Sequence, residues 1–128
     1  MRYSTDIETA LYELLKTDGY SASAHRIPAT LGRIFPHIHV VRTGGTTVDM
    51  VLEINNVDFD VYAEDEAEAM AEASRFCGWV RNLTGQDIGT CYSAEVITLP
   101  YGNPDPRHPN IGRATLKAQI NTRIKEDI

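Results

Sequence analysis

The sequence predicts an α+β fold, with a mainly antiparallel sheet of about five strands and two principal helices packed on it. Two segments show the apolar spacing of helices, and several shorter ones alternate apolar with polar residues. The predicted order is helix, three strands, helix, two strands. The 128 residues fit one domain spanning residues 1–128.

The first helix is predicted from Thr5 to Lys16. Its apolar residues recur with the spacing of one helical face: Ile7, Ala10, Leu11 and Leu14. Thr5 and Glu8 have the spacing of a capping box, and Gly19 can adopt the left-handed conformation that ends many helices. We therefore expect a short amphipathic helix at the start of the chain.

The next segment, Tyr20–Phe35, is punctuated by Pro28 and Gly32 and is predicted to be mostly loop, with one helical turn near Thr30–Ile34. Because its hydrophobic pattern matches neither a helix nor a strand, we assign it no longer element.

Three short strands are expected to follow, at His37–Thr43, Val48–Ile54 and Val57–Ala63. Turns are predicted between them at Gly44-Gly45 and at Asn55-Asn56, since glycine and asparagine tolerate left-handed backbone. The third strand has the clearest alternation, which places Phe59 on its buried face and the aspartates beside it in solvent.

A longer helix is predicted at about Asp65–Leu83, with Asp65 as its N-cap and Gly85 at its end. Gly78 lies inside this helix at a cost of about 1 kcal/mol relative to alanine. We interpret it as a point of close approach to a neighbouring element.

The last two strands are predicted at Cys91–Leu99 and Arg113–Ile124. The segment between them carries four prolines, which exclude a helix and a central strand. It is therefore expected to be a long exposed loop, and loops of this length in compact domains are often functional.

Composition excludes several classes of function. Charged residues make up 23% of the chain and the net charge is −6, with the twelve basic residues scattered, so tight binding to duplex DNA is not expected. The sequence shows neither an apolar run long enough to cross a membrane nor a secretory signal. Cys77 and Cys91 lack a CxxC arrangement and are interpreted as buried or half-buried thiols in a reducing compartment.

Candidate chemical groups are sparse. His37 and His39 share a strand face with metal-ligand spacing, but His25 and His108 could complete such a site only by elimination. We interpret the pair as a solvated strand face, and paired Asp58 and Asp60 likewise. Because no nucleotide-binding or hydrolase motif occurs, the sequence predicts no catalytic residue, metal or cofactor.

Three stretches together resemble a known family. They are Phe35–Gly45 with its Arg-x-Gly-Gly ending, Val57–Glu64 followed by Glu68-Ala69, and Leu99–Arg107 followed by the strand that ends at Thr122-Arg123. In this order they resemble the tail terminator proteins of siphophages, especially those that infect actinobacteria. The likeness covers about residues 5–124 and is loose over Tyr20–Ile34 and Val48–Ile54.

The resemblance implies a structural protein of the virion, assembled in the host cytoplasm. Such a protein forms a hexameric ring with copies of itself, binds the major tail tube protein and stops its polymerisation. It then joins a neck or head-completion protein while DNA passes through the lumen without specific binding. The candidate interface residues are Tyr101, Asp105, Arg107 and Arg42. The alternatives are a head-completion or stopper ring protein, and a small-ligand-binding or enzymatic domain.

Overall fold

The computed structural model describes residues 2–49, 51–84 and 91–126. Its elements, in chain order, are β1 (Arg2–Tyr3), α1 (Ile7–Thr17), β2 (Ser21–Ala24), β3 (His37–Thr47), β4 (Leu52–Ala63), α2 (Glu66–Arg81), β5 (Cys91–Gly102), β6 (Gly112–Arg123) and β7 (Lys125–Glu126). Five strands form one sheet in the order β2-β3-β4-β6-β5. All pairs are antiparallel except β2 with β3, so the predicted α+β class is confirmed.

Both helices pack on one face of this sheet. Helix α1 contacts β2 and β3, and α2 contacts β4, β5 and β6. Phe59 is at the centre of the core, fully buried, with its ring 5.1 Å from that of Phe76 and 6.2 Å from that of Trp79. The predicted inward face of the third strand is therefore confirmed.

Helix α1 begins later than predicted. Its N-cap is Asp6, whose carboxylate accepts from the backbone N–H of Thr9, and not Thr5. Thr5 is buried and its hydroxyl donates to the carbonyl of Arg123 at 3.4 Å. At the other end Gly19 has φ 91°, the left-handed conformation predicted for it.

Two predicted turns are wrong. Gly44-Gly45 lies inside β3, where the register shifts between Arg42 and Gly44, and Asn55-Asn56 lies inside the continuous strand β4. The reversal occurs after Thr47, where the carboxylate of Asp49 accepts from two backbone N–H groups in the turn. The predicted pair of strands from 48 to 63 is consequently one strand of twelve residues.

The fifth strand of the sheet comes from the segment predicted to be loop. Ser21–Ala24 forms β2, which runs parallel to β3 at one edge of the sheet. Strand β5 forms the other edge. The two edges of the sheet therefore come from parts of the chain that lie far apart in sequence.

Helix α2 has the predicted N-cap, because the Asp65 carboxylate accepts from the backbone N–H of Glu68 at 2.8 Å. The helix ends at Arg81, and Gly85 lies outside the described residues. The expected close approach at Gly78 is wrong, since a Cβ built there meets no atom within 4 Å. Gly78 is exposed.

Candidate assembly surfaces and a buried polar network

The sheet face opposite the helices carries a chain of buried polar side chains. His37 and His39 on β3 are 3% and 6% exposed, so the expectation of a solvated strand face was wrong for them. The two ring nitrogens of His37 lie 2.7 Å from Ser21 Oγ and 2.8 Å from Ser23 Oγ. Ser23 Oγ also lies 2.7 Å from Nδ1 of His39. These bonds attach the edge strand β2 to β3 through side chains as well as backbone.

The three hydrogen bonds between these serines and histidines can all form when both imidazole rings are neutral. Ser23 has one hydroxyl proton and contacts both rings, so it donates to one histidine and accepts from the other. Burial, together with the proximity of His39, lowers the pKa of His37 to about 4. Burial also lowers the pKa of His39. At neutral pH both rings are therefore uncharged, and the group has a structural role.

A second buried group surrounds Asp105, which is 6% exposed in the segment after β5. Its carboxylate accepts from Tyr62 Oη at 3.0 Å and from the backbone N–H of Arg107 at 3.0 Å, and lies 3.1 Å from Nδ1 of His108. Burial raises the pKa of Asp105, but these hydrogen bonds outweigh it and hold the pKa at about 2. Burial raises the pKa of Tyr62 to about 12.

Arg113, on β6, contacts the same segment between β5 and β6. Its Nε donates to the Asn103 carbonyl at 2.6 Å, and its guanidinium lies over the Tyr62 ring at 5.9 Å. The guanidinium also lies 3.6 Å from the Asp105 carboxylate. The proline-rich segment is therefore an ordered cap over the end of the sheet, held by contacts within the chain.

The four predicted interface residues do not form one site. Tyr101 is 37% exposed on edge strand β5, beside Lys117, and Arg107 is exposed on the proline-rich segment. Asp105 makes its contacts inside the chain. Arg42 is exposed on β3, where its Nε donates to Asn55 Oδ1 at 2.9 Å. Two strands separate β3 from β5, so Arg42 belongs to a different surface from Tyr101.

Edge strand β5 carries three exposed apolar or aromatic side chains, of which only Tyr101 was predicted as an interface residue. Ile97 is 57% exposed and Leu99 67%, and Tyr101, 37% exposed, follows a register shift that places it beside Lys117, on the face opposite to Leu99. Leu99 borders α2, where it shares a shallow cavity with Cys77 and Arg81. We call Ile97, Leu99 and Tyr101 the β5 strip. Pro100 lies in this part of β5, and two register shifts, between Val96 and Thr98 and between Thr98 and Tyr101, interrupt its pairing with β6. Such features discourage another strand from pairing with an edge.

At the opposite edge, a groove of about 420 Å³ runs between α1 and β2. Its surface is mostly apolar, and its lining includes Tyr12 and Glu13 from α1 and Ala22 and Ala24 from β2. Of the buried serine–histidine chain, Ser23 alone lines it. We call this cavity the α1–β2 groove.

The described residues hold no group of three His, Cys, Asp or Glu side chains that could bind a metal ion. Cys77 and Cys91 are both buried and free, as predicted. Three groups have strongly shifted pKa values, and each has hydrogen-bond partners inside the chain: His37 contacts Ser21 and Ser23, and Tyr62 donates to Asp105.

No family model and no curated protein matches this chain. Within the described part of the chain, no helix is long and apolar enough to cross a membrane.

Proposed function

We propose that this protein is a tail terminator of a long-tailed bacteriophage, a structural subunit that forms a ring on the head-proximal end of the tail tube. The resemblance of residues 5–124 to that family suggests the role. The observation that carries it furthest is the β5 strip, because a subunit built to associate must present apolar surface to a partner.

The strip meets the requirements for a contact between proteins. Three large apolar or aromatic side chains lie exposed on one edge strand, Leu99 at 67%. Large apolar side chains exposed on an edge strand are candidates for contact with another protein, and tyrosine is enriched among interface anchors. Because the edge is interrupted by Pro100, the contact is made by side chains and not by strand pairing.

The charge of the chain suits a lumen that conducts DNA. Each subunit carries a net charge of −6, and exposed carboxylates cluster at the start of α2, at Glu64, Glu66 and Glu68. A ring of such subunits has a negative field that repels phosphates, so DNA slides through without adhering.

The test is to mix the purified protein with the tail tube protein encoded beside it and to image the product by electron microscopy. We expect rings, six-fold as in the resembled family, seated at one end of each tube, and shorter tubes as the protein concentration rises. Rings that bind a portal-bound adaptor and ignore tubes would instead identify a head-completion or stopper protein. A protein that stays monomeric at all concentrations would contradict both.

A further inference from the structure

The hydroxyl of Ser23 is shared between two buried imidazole rings. Its oxygen lies 2.8 Å from Nε2 of His37 and 2.7 Å from Nδ1 of His39. Ser23 is 6% exposed, and the two histidines are 3% and 6% exposed. A serine hydroxyl has one proton to donate, and a buried polar atom that loses its partner is costly. The number of protons on the two rings therefore decides whether all of these hydrogen bonds can form.

The network accommodates one added proton. When His39 is protonated, its Nδ1–H donates to Ser23, and the Ser23 hydroxyl donates to Nε2 of His37. His37 then keeps its single proton on Nδ1, where it donates to Ser21 Oγ at 2.7 Å.

A second added proton creates a conflict at Ser23. The Nε2–H of His37 and the Nδ1–H of His39 then both point at the Ser23 oxygen, and the hydroxyl proton loses the ring nitrogen that accepted it. Two positively charged rings also repel each other across this one buried oxygen. The arrangement is therefore compatible with one imidazolium ring but not with two.

The groups around His39 act on its charge in both directions. Burial lowers the pKa of His39 most. The carboxylates of Asp60 on β4 and Glu8 on α1 raise it, which favours a proton on this ring. Arg113 on β6 and His25, which follows β2, lower it. Because two carboxylates act on His39, we expect this ring to take the first proton.

His37 is then the ring that takes the second proton. Burial and the proximity of His39 lower its pKa to about 4. Its ring lies 6.3 Å from that of Tyr62 on β4, where burial raises the tyrosine pKa to about 12, so this neighbour stays neutral in acid. On β2 it faces the hydroxyls of Ser21 and Ser23, which carry no charge. Protonation of His37 after His39 is therefore the step that the surroundings oppose.

Strand β2 is the element that this conflict releases. It consists of four residues at one edge of the sheet, and within that sheet it pairs with β3 alone. Ser21 and Ser23 supply its side-chain hydrogen bonds to β3, and its other two residues are alanines. Short elements with few such contacts open at a lower free energy than the rest of a domain.

We infer that the Ser23 hydroxyl is an acid-sensitive switch, which holds β2 on β3 while the two histidines carry at most one added proton and releases β2 when both are protonated. This property belongs to the single subunit and goes beyond the proposed role in tail assembly. Release frees the backbone edge of β3 from His37 to Val40, and an unpaired edge of this kind accepts a strand from another chain.

The test follows amide hydrogen exchange by NMR from pH 6.5 to below 4, with each rate corrected for the pH dependence of exchange in unfolded peptides. The amides that join Ser21–Ala24 to β3 should lose roughly tenfold or more in protection, while those of Phe59 and Val61 on β4 stay protected. The imidazole resonances report both protonation steps in the same samples, and the loss should follow the second step. A loss that follows the first step, or that extends equally to β4, would overturn the inference.

Two variants give this switch a signature that a single buried histidine lacks. His37→Gln and His39→Gln each leave one ring to protonate, and the glutamine amide can still form a hydrogen bond with Ser23. Each variant should keep β2 attached below pH 4, because two imidazolium rings no longer meet at Ser23. The matched control is His108→Gln, which removes a partly exposed histidine after β5 and should release β2 as the natural protein does.

Thermal unfolding at neutral pH establishes that the variants fold, and the exchange data on the natural protein decide the question without them. If release persists in His39→Gln, burial of His37 alone opens the strand and the shared hydroxyl is not the switch. If β2 of the natural protein stays protected after both rings are protonated, the inference is wrong.

Discussion

Phe59 is the residue on which the core depends most. Its fully buried ring contacts those of Phe76 and Trp79, so Phe59→Ala leaves a cavity and should lower the free energy of unfolding by about 3–5 kcal/mol. Asp58→Asn is the control on the same strand. It removes a 3.0 Å ion pair with the half-exposed Lys117, which should matter by less than about 1 kcal/mol. Denaturant midpoints measure both, and a mild Phe59→Ala effect would contradict the assigned core.

His37 couples stability to pH. Its pKa is about 4 in the folded chain against an ordinary value of 6.5, so between these values the unfolded chain binds more protons. The stabilisation that comes from His37 is therefore fully present above pH 6.5 and is lost as the pH drops towards 4. It amounts to about 3 kcal/mol at most. His39 acts in the same direction.

Urea unfolding at successive pH values would measure this dependence. His37→Gln removes one titrating ring, so its stability should fall less steeply between pH 6.5 and 4 than that of the natural protein. Equal slopes for the two proteins would show that His37 is not buried in its neutral form.

At the scale of single elements, replacing each of two glycines by alanine should change stability in opposite directions. Gly78 is exposed in α2 with no atom near a built Cβ, so Gly78→Ala should stabilise the protein by about 0.5–1 kcal/mol. Gly112 begins β6, where a Cβ would lie 2.2 Å from the backbone carbonyl of Asp65 at the start of α2. Gly112→Ala should therefore destabilise it. Thermal unfolding distinguishes the two signs, and a stabilising Gly112→Ala would contradict this packing.

The conformation of the segment after β5 depends on the carboxylate of Asp105. Asp105→Ala leaves Tyr62 and Arg113 without their buried acceptor and should cost about 3 kcal/mol. It should also loosen the segment, so that trypsin cleaves after Arg107 faster than in the natural protein. Arg107→Ala, at an exposed position, should leave the melting temperature unchanged. Equal stability of the Asp105 variant would contradict the internal role of this residue.

Strand boundaries show where sequence patterns are informative and where they are not. The alternation around Phe59 predicted a strand because apolar residues at every second position bury one face. The sequence predicts a turn at Asn55, yet its amide donates to the Ile120 carbonyl and to Thr122 Oγ1 inside the sheet. Asparagine fits both roles, and the contacts that decide between them come from β6, distant in sequence.

Strand β2 was missed for a similar reason. Its sequence, Ser-Ala-Ser-Ala, lacks the β-branched and aromatic residues typical of strands. The period of two was present, but its stabilisation comes from His37 and His39 of β3. These tertiary contacts override the weak local preference.

For the molecule as a whole, the candidate surfaces were only partly predictable. Residue type identified Tyr101 as an interface candidate. Exposure of Leu99 could not be predicted, since the same residue in a central strand would be buried, and the strand order alone makes β5 an edge. The α1–β2 groove likewise required knowledge of β2.

The proposed role in tail assembly implies that a phage genome encodes this protein, and it is tested most directly by inactivating that gene and imaging the particles made after infection. A tail terminator role predicts filled heads without tails beside free tubes of uneven, excessive length, and normal virions when the natural protein is supplied from a plasmid. Free tubes of normal length would contradict a terminator role and point to a head-completion protein. Normal joined virions without the gene product would contradict any role in head–tail joining.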